Sequence, residues 1–194
     1  EDGSVVFLAK ETSIRYPEHF VSDKREVSLQ GDAFFDVAKN RERPFWIDTE
    51  QVKIEVLGTA FSVKSVEDAP FRLSVQRGTV RVTLKKGNKE CYVKAGETVV
   101  LKSQQLLLSA NENTEELNRY LKHVCFKDES LEHILKVMNM NAGSLQIRVA
   151  SPALEKRKLT VEFSNESPET VATLIACALN LKCTRQGDTF MLAE

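Results

Sequence analysis

The sequence has few of the residues that catalytic and metal sites need. It holds only three histidines and four cysteines in 194 residues. No two cysteines form a C-x-x-C pair, so neither a zinc ribbon nor a thioredoxin-like site is supported. The chain also lacks a G-x-S-x-G elbow, a phosphate-binding glycine loop and an H-E-x-x-H pair. We therefore expect a protein that is not an enzyme and that has no catalytic residue, cofactor or metal.

An excess of one charge and a long apolar run are also missing. The net charge is −1, with 17 basic and 16 acidic residues in 1–108 and 10 and 12 in 109–194. Neither half is basic enough to suggest a nucleic-acid surface. No segment approaches the roughly 18–20 apolar residues of a membrane span, and the first residues do not form a signal peptide. The chain starts without methionine and close to a strand, which predicts a fragment excised from a longer protein.

Residues 1–108 show the period of two that is typical of β-strands. In the segment 27–63, for example, Val52, Ile54 and Val56 alternate with polar residues. Four strand-like runs are each interrupted by one glycine, which indicates a bend, a bulge or a close backbone approach. These glycines are Gly31, Gly58, Gly78 and Gly96. The pattern predicts a mainly β domain, either a bent-strand sandwich or a β-solenoid-like stack.

The segment 109–121 is polar and acidic, and we interpret it as a linker with one helical turn near Glu115–Tyr120. After it, the apolar residues recur with the period of a helix. Two such stripes are Leu131, Ile134, Leu135 and Met138, and Val171, Leu174, Ile175 and Ala178. Residues 122–194 are therefore predicted to form a second, small α+β domain.

Each of these two helices is introduced by related residues. Phe126–Glu132 and Phe163–Glu169 match at Phe, Glu, Ser and Glu. Ser130 and Ser167 suit the N-cap, Pro168 suits the first helical position, and the glutamates face the positive helix end. With the strands that flank each helix, this predicts two βαβ-type repeats.

A strand with a free edge can bind a partner by β-strand addition. The candidate edges are Leu159–Phe163 and Leu181–Gln186, and the sequence does not choose between them. The alternative is that both strands are interior. The partner-binding residues therefore remain unknown at this stage.

The histidines and cysteines allow only weak hypotheses. His19 is predicted in a turn and His133 on a solvent-facing helix position. His123 and Cys125 would share one strand face, but no third ligand is spaced to complete a metal site. Cys177 and Cys183 lie on either side of a predicted helix–strand junction, and the sequence leaves open whether they form a disulfide. We favour instead four cysteines that act as small buried residues.

Several segments resemble the periplasmic domain of FecR-type anti-sigma regulators of the Bacteroidetes kind. They are DGSVVFL, SIRYPEHF, REVSLQGDAFFDVAKNRERPFWI, VKIEVLGTAFSVKS, SVQRGTVRV and KAGETVVL. Residues 122–194 resemble the secretin and TonB short N-terminal domain, through FKDESLEHILKVMN and LTVEFSNESPETVATLIACALNLKC. The cytoplasmic sigma-binding segment and the membrane helix of such regulators are not in this chain.

The resemblance implies a single-pass inner-membrane regulator whose periplasmic part senses an outer-membrane TonB-dependent transducer. The N-terminal extension of the transducer would contact the C-terminal domain, and an extracytoplasmic-function sigma factor would be the final target. One alternative is a periplasmic carbohydrate-binding β-module in which Trp46 and Tyr92 stack on sugars. Another is a ring-forming envelope protein of the secretin type, which rests on the short-domain resemblance alone.

Overall fold

The computed structural model describes residues 2–20, 23–67, 69–110, 116–140 and 143–194. The chain divides into two compact units, Glu1–Glu116 and Leu117–Glu194. The division falls inside the segment 109–121, whose two ends are structured: a strand ends at Ala110 and helix α1 is Glu116–Leu121. Residues 111–115, and with them the start of the expected helical turn at Glu115, lie outside the described residues. Among the described residues, no helix is long and apolar enough to cross a membrane.

The N-terminal unit is built from β-strands, as the period of two predicts. Its described residues form β1 Val5–Leu8, β2 Ser13–Arg15, β3 Arg25–Asp36, β4 Phe45–Asp48, β5 Val52–Val56, β6 Ala60–Ser65, β7 Arg72–Arg77, β8 Thr79–Leu84, β9 Glu90–Lys94, β10 Glu97–Lys102 and β11 Gln105–Ala110. They make one sheet in the order β11-β10-β7-β6-β3-β4-β5-β8-β9, with β1 and β2 also paired to β3. The strand-rich fold expected from the sequence is confirmed.

Strand β3 joins two halves of this sheet. Its first part pairs with β2 and β4, and its second part, from Gly31 onward, pairs with β1 and β6. Strands β7, β10 and β11 extend the second half, whereas β5, β8 and β9 extend the first. Apolar side chains from both halves share one core, and β9 contacts β7 and β10. The sheet is therefore bent into a sandwich that curls towards a barrel.

The four glycines mark the places where the chain crosses between the two halves. Only Gly31 lies within a strand, whereas Gly58 separates β5 from β6, Gly78 separates β7 from β8, and Gly96 is in the turn between β9 and β10. A β-carbon on Gly58 would lie 2.6 Å from the Cα of Lys39. The expectation of four equivalent strand–glycine–strand bends is thus only partly correct. All four glycines lie where the chain passes from one half of the sheet to the other, but only Gly31 does so within a strand.

A buried arginine ties the start of the chain to the sheet. The side chain of Arg25 is 1% exposed, and its Nη1 lies 2.5 Å from Asp2 Oδ2. Its Nε donates to the carbonyl of Arg43 at 2.8 Å, and Nη1 also donates to the carbonyl of Ala38 at 3.0 Å. Burial alone would raise the pKa of Asp2, but hydrogen bonds from Ser4 and Arg25 outweigh it and hold that pKa below its usual value.

The C-terminal unit alternates strands and helices. Its described elements after α1 are β12 Val124–Ser130, α2 Leu131–Asn139, β13 Gln146–Val149, α3 Pro152–Glu155, β14 Lys158–Phe163, α4 Pro168–Leu179, β15 Lys182–Gln186 and β16 Thr189–Ala193. Strands β12 and β14 pair antiparallel, while β13 and β15 lie on either side of β16. Each β-α-β repeat therefore places its two strands in different sheets, and the pairing links one repeat to the other.

The buried faces of the two long helices differ in part from the predicted stripes. In α2 the buried residues are Leu131, Ile134, Leu135 and Val137, so the stripe is right except that Met138 is only half-buried. In α4 the buried residues are Val171, Ala172, Ile175, Ala176 and Leu179. The prediction for Leu174 and Ala178 is wrong, since both are exposed. Small alanines on α4 allow close packing, which a count of large apolar residues does not detect.

Candidate partner-binding surface

The two repeats begin their helices in the same way. The backbone N–H of His133 donates to Ser130 Oγ at 3.3 Å, and that of Thr170 donates to Ser167 Oγ at 3.1 Å. Both predicted N-caps are confirmed, and Pro168 occupies the start of α4. These contacts satisfy backbone donors that the first turn of a helix leaves unpaired. The repeated serines are therefore structural.

The segments before these helices are also equivalent. Asp128 and Asn165, at matching repeat positions, both have a positive φ, of 51° and 65°. Just before them, Phe126 and Phe163 form an edge-to-face pair with ring centroids 6.3 Å apart. The matching phenylalanines thus pack against each other, and the repeats join through β12 and β14. Among the described strands, β12 and β14 each keep one open edge, and β13 and β15 are the edges of the three-stranded sheet.

Polar side chains of β14 contact β12 and the residue that precedes it. Glu162 Oε1 lies 2.9 Å from His123 Nε2, and Lys158 Nζ lies 2.6 Å from Asp128 Oδ2. Thr160 Oγ1 also accepts from the backbone N–H of Asp128 at 3.0 Å. The polar side chains of this edge therefore support the two-stranded sheet itself.

Strand β15 offers a more accessible edge. It pairs antiparallel with β16 through the two-residue connection Gly187–Asp188. In such a hairpin the two residues that flank the turn, here Gln186 and Thr189, form a hydrogen-bonded pair. The backbone groups of every second residue point to the partner strand, so those of Cys183 and Arg185 point away from β16. Lys182 on one face and Arg185 on the other give this edge a positive charge. The alternative that both candidate edges are interior strands is wrong for the described residues.

The histidines do not form a site with the other polar residues. His133 Nδ1, on α2, lies 3.2 Å from Oε2 of Glu129, near the end of β12. A backbone hydrogen bond from Ser130, together with this histidine, outweighs desolvation and lowers the pKa of Glu129. His123 contacts Glu162 and Ser164. Within the described part of the chain, no group of three or more His, Cys, Asp or Glu could hold a metal ion.

The cysteines differ from the favoured interpretation. All four are unpaired, so no disulfide joins Cys177 to Cys183. Cys125 and Cys177 are exposed, and Cys91 and Cys183 are half-buried, so the expectation of four buried cysteines is wrong. Partial burial, with a smaller contribution from Glu169, raises the pKa of the Cys183 thiol.

The outer face of the N-terminal sheet carries the aromatic residues considered for sugar binding. The register places Trp46 opposite Glu55, Glu55 opposite Arg81, and Arg81 opposite Tyr92. Arg81 is ion-paired with Glu55, and its guanidinium lies 5.7 Å from the centroid of the Trp46 ring. Tyr92 is exposed, but the charged pair separates it from Trp46. The two rings therefore do not form a continuous stacking platform.

This cross-strand row and the short helix α3 are features that the sequence analysis missed. Residues of the row come from strands that are far apart in the sequence, and only the register brings them together. A signal for α3 does exist, because Pro152 follows Ser151 as it would at a helix start.

The first 81 residues match a known family model, and the whole chain is similar to solved structures. Residues 1–81 match the model of the family described as FecR protein. The chain is similar to two crystal structures, at 1.65 and 2.50 Å, of a proposed anti-sigma factor from Parabacteroides distasonis. In both cases the identity is 24%, the TM-score is 0.58, and the alignment covers 100% of this chain and 91% of the other. No curated protein sequence matches the chain.

Proposed function

We propose, from the match of residues 1–81 to the FecR family model, that the chain is the periplasmic signalling region of a transmembrane anti-sigma factor. It relays the state of an outer-membrane TonB-dependent transducer to an extracytoplasmic-function sigma factor. The observation that carries the proposal is the FecR match, which the whole-length fold likeness to a proposed anti-sigma factor supports. The role is regulatory, and the sigma factor is reached through segments outside this chain.

The partner contact is assigned to the C-terminal unit. The N-terminal extension of the transducer adds a strand to β15. The outward backbone groups of Cys183 and Arg185 form hydrogen bonds with this added strand. Lys182 and Arg185 lie on opposite faces of the strand, so an acidic segment pairs with a positive charge on either face. This charge pattern makes binding depend on salt. The attraction between exposed charges decays over the Debye length, which is about 8 Å at physiological ionic strength and becomes shorter as salt is added.

Isothermal titration of this chain against transducer extensions tests the proposal. We expect binding that weakens with salt and that falls about tenfold or more in the Lys182→Glu, Arg185→Glu double variant. The matched control is Lys86→Glu, Lys89→Glu, which reverses two exposed lysines in the turn between β8 and β9. That control should bind as the wild type does.

Two results would count against different parts of the proposal. If no extension from a cognate transducer binds, the relay role is wrong. If binding occurs but both double variants behave alike, the relay role stands and the assignment to β15 is wrong. Circular dichroism of each variant distinguishes loss of binding from loss of folding.

A further inference from the structure

Strand β11 is an edge of the large sheet that carries none of the usual protection. It pairs with β10 in a continuous register and has no other neighbour among the described strands. Its sequence, QLLLSA, contains no charge and no proline. Leu107 is 48% exposed and Leu108 is 47% exposed. Native proteins normally protect such an edge with charges, prolines or bulges, because its unpaired backbone groups bind other strands.

The outward backbone groups of β11 can be assigned from the hairpin. The turn Ser103–Gln104 has φ values of 49° and 61°, so the flanking residues Lys102 and Gln105 form a hydrogen-bonded pair. Leu101, the next residue on β10, donates its N–H to Phe71 at 2.9 Å and not to β11. The pattern alternates from there. The residues whose N–H and C=O groups point away from β10 are Leu106, Leu108 and Ala110.

The side chains at this edge are apolar on both faces of the sheet. Leu108 lies opposite Val99 and Leu106 opposite Leu101, on the face of the shared core. Leu107 lies opposite Val100 on the other face. A strand added here would cover Leu108 where the core opens to solvent, in addition to forming backbone hydrogen bonds.

We propose that β11 pairs antiparallel with β11 of a second copy of this chain, so that the two large sheets become one. The two-fold axis passes through Leu108, which faces Leu108 of the second copy, while Leu106 faces Ala110. This register uses every outward backbone group of the strand and keeps both cores on the same side. Leu107 then faces Ser109 on the opposite side of the sheet.

A second copy fits this edge because the strand is complementary to itself: with Leu108 at the two-fold axis, the apolar core faces of the two sheets continue into each other. Self-pairing of β11 brings no like charges together. Self-pairing of β15 would, because Lys182 and Arg185 of both copies would lie along the same pair of strands. The contact is isologous and closed. Once the two β11 strands pair, neither offers that edge to a third copy.

Sedimentation over a wide concentration range tests the inference. We expect a monomer–dimer equilibrium with no larger species formed through this edge. Leu108→Lys should weaken the dimer at least about tenfold, because it places two ammonium groups at the two-fold axis. The control Leu174→Lys changes a leucine that is 43% exposed on helix α4 and should leave the equilibrium unchanged.

Amide hydrogen exchange on the unmodified chain supplies a second readout. Raising the concentration should slow exchange at Leu106, Leu108 and Ala110, while Leu107 and Ser109, already bonded to β10, should change little. A chain that stays monomeric overturns the inference. A dimer that persists in Leu108→Lys, or that protects all five amides equally, also overturns it.

Discussion

Replacing Gly31 with alanine should destabilise the N-terminal unit more than the same change at another glycine with positive φ. Gly31 has φ of +123°, and a β-carbon there would lie 2.5 Å from Thr12 Oγ1 and 2.7 Å from Thr12 Cα. Thr12 cannot simply move aside. Its hydroxyl donates to the carbonyl of Asp32 at 3.0 Å and accepts from the N–H of Asp32 at 2.9 Å.

The expected cost has two parts. The backbone conformation, which favours glycine, costs an alanine about 1–3 kcal/mol. The steric conflict adds about 1–3 kcal/mol if the strands shift, or about 1 kcal/mol for each hydrogen bond that Thr12 gives up. Gly31→Ala should therefore lose about 2–6 kcal/mol. Gly96→Ala, with φ of +80° and no atom within 4 Å of the added β-carbon, should lose only the conformational part.

Urea titration followed by tryptophan fluorescence measures the difference. The chain has one tryptophan, Trp46, which lies on β4, so the signal reports on the N-terminal unit alone. Thr12→Gly should rescue Gly31→Ala only in part, because the conflict includes the Cα of residue 12. Equal loss of stability in Gly31→Ala and Gly96→Ala would refute the close approach as the reason for glycine at this position.

Three further predictions concern the helix caps, the carboxylate of Asp2 and the reactivity of two cysteines. Ser130→Ala and Ser167→Ala should each cost about 1 kcal/mol of unfolding free energy, since each removes an N-cap; no change in thermal denaturation of the C-terminal unit would contradict this. Because the pKa of Asp2 is lowered on folding, its carboxylate stabilises the N-terminal unit above about pH 4, and this contribution is lost as the pH falls through the folded pKa. The wild type should therefore lose more stability than Asp2→Asn on acidification, and parallel pH profiles would disprove the linkage. Near neutral pH, Cys177 should react faster than Cys183 with a thiol reagent, as read by peptide mass spectrometry, because Cys183 is half-buried and its pKa is raised; the reverse order would be inconsistent with the structure.

Local chemistry made much of the C-terminal unit predictable. Ser130, Ser167 and Pro168 act within a few residues of their own positions, so their roles follow from the sequence. The candidate edges Leu159–Phe163 and Leu181–Gln186 agree with strands β14 and β15 to within one residue. The burial of Leu174 was predicted wrongly because the side of α4 that faces the sheets depends on the alanines that fit there. The pairing of β12 with β14 was not predictable either, because it depends on contacts between repeats.

Short-range patterns in the sequence predicted that strands fill the first half, that helices begin at repeated serines, and that residues 1–108 resemble FecR-type regulators. These features depend on short-range periodicity, on caps and on a specific succession of residues. The role of the glycines depends on the tertiary structure, because a crossing between the two half-sheets exists only once the strands have paired, as β3 does on both sides of Gly31. The tertiary structure also decided which edges stay open. Whether QLLLSA is an interior strand or an unprotected edge depends on the neighbours that the whole sheet supplies.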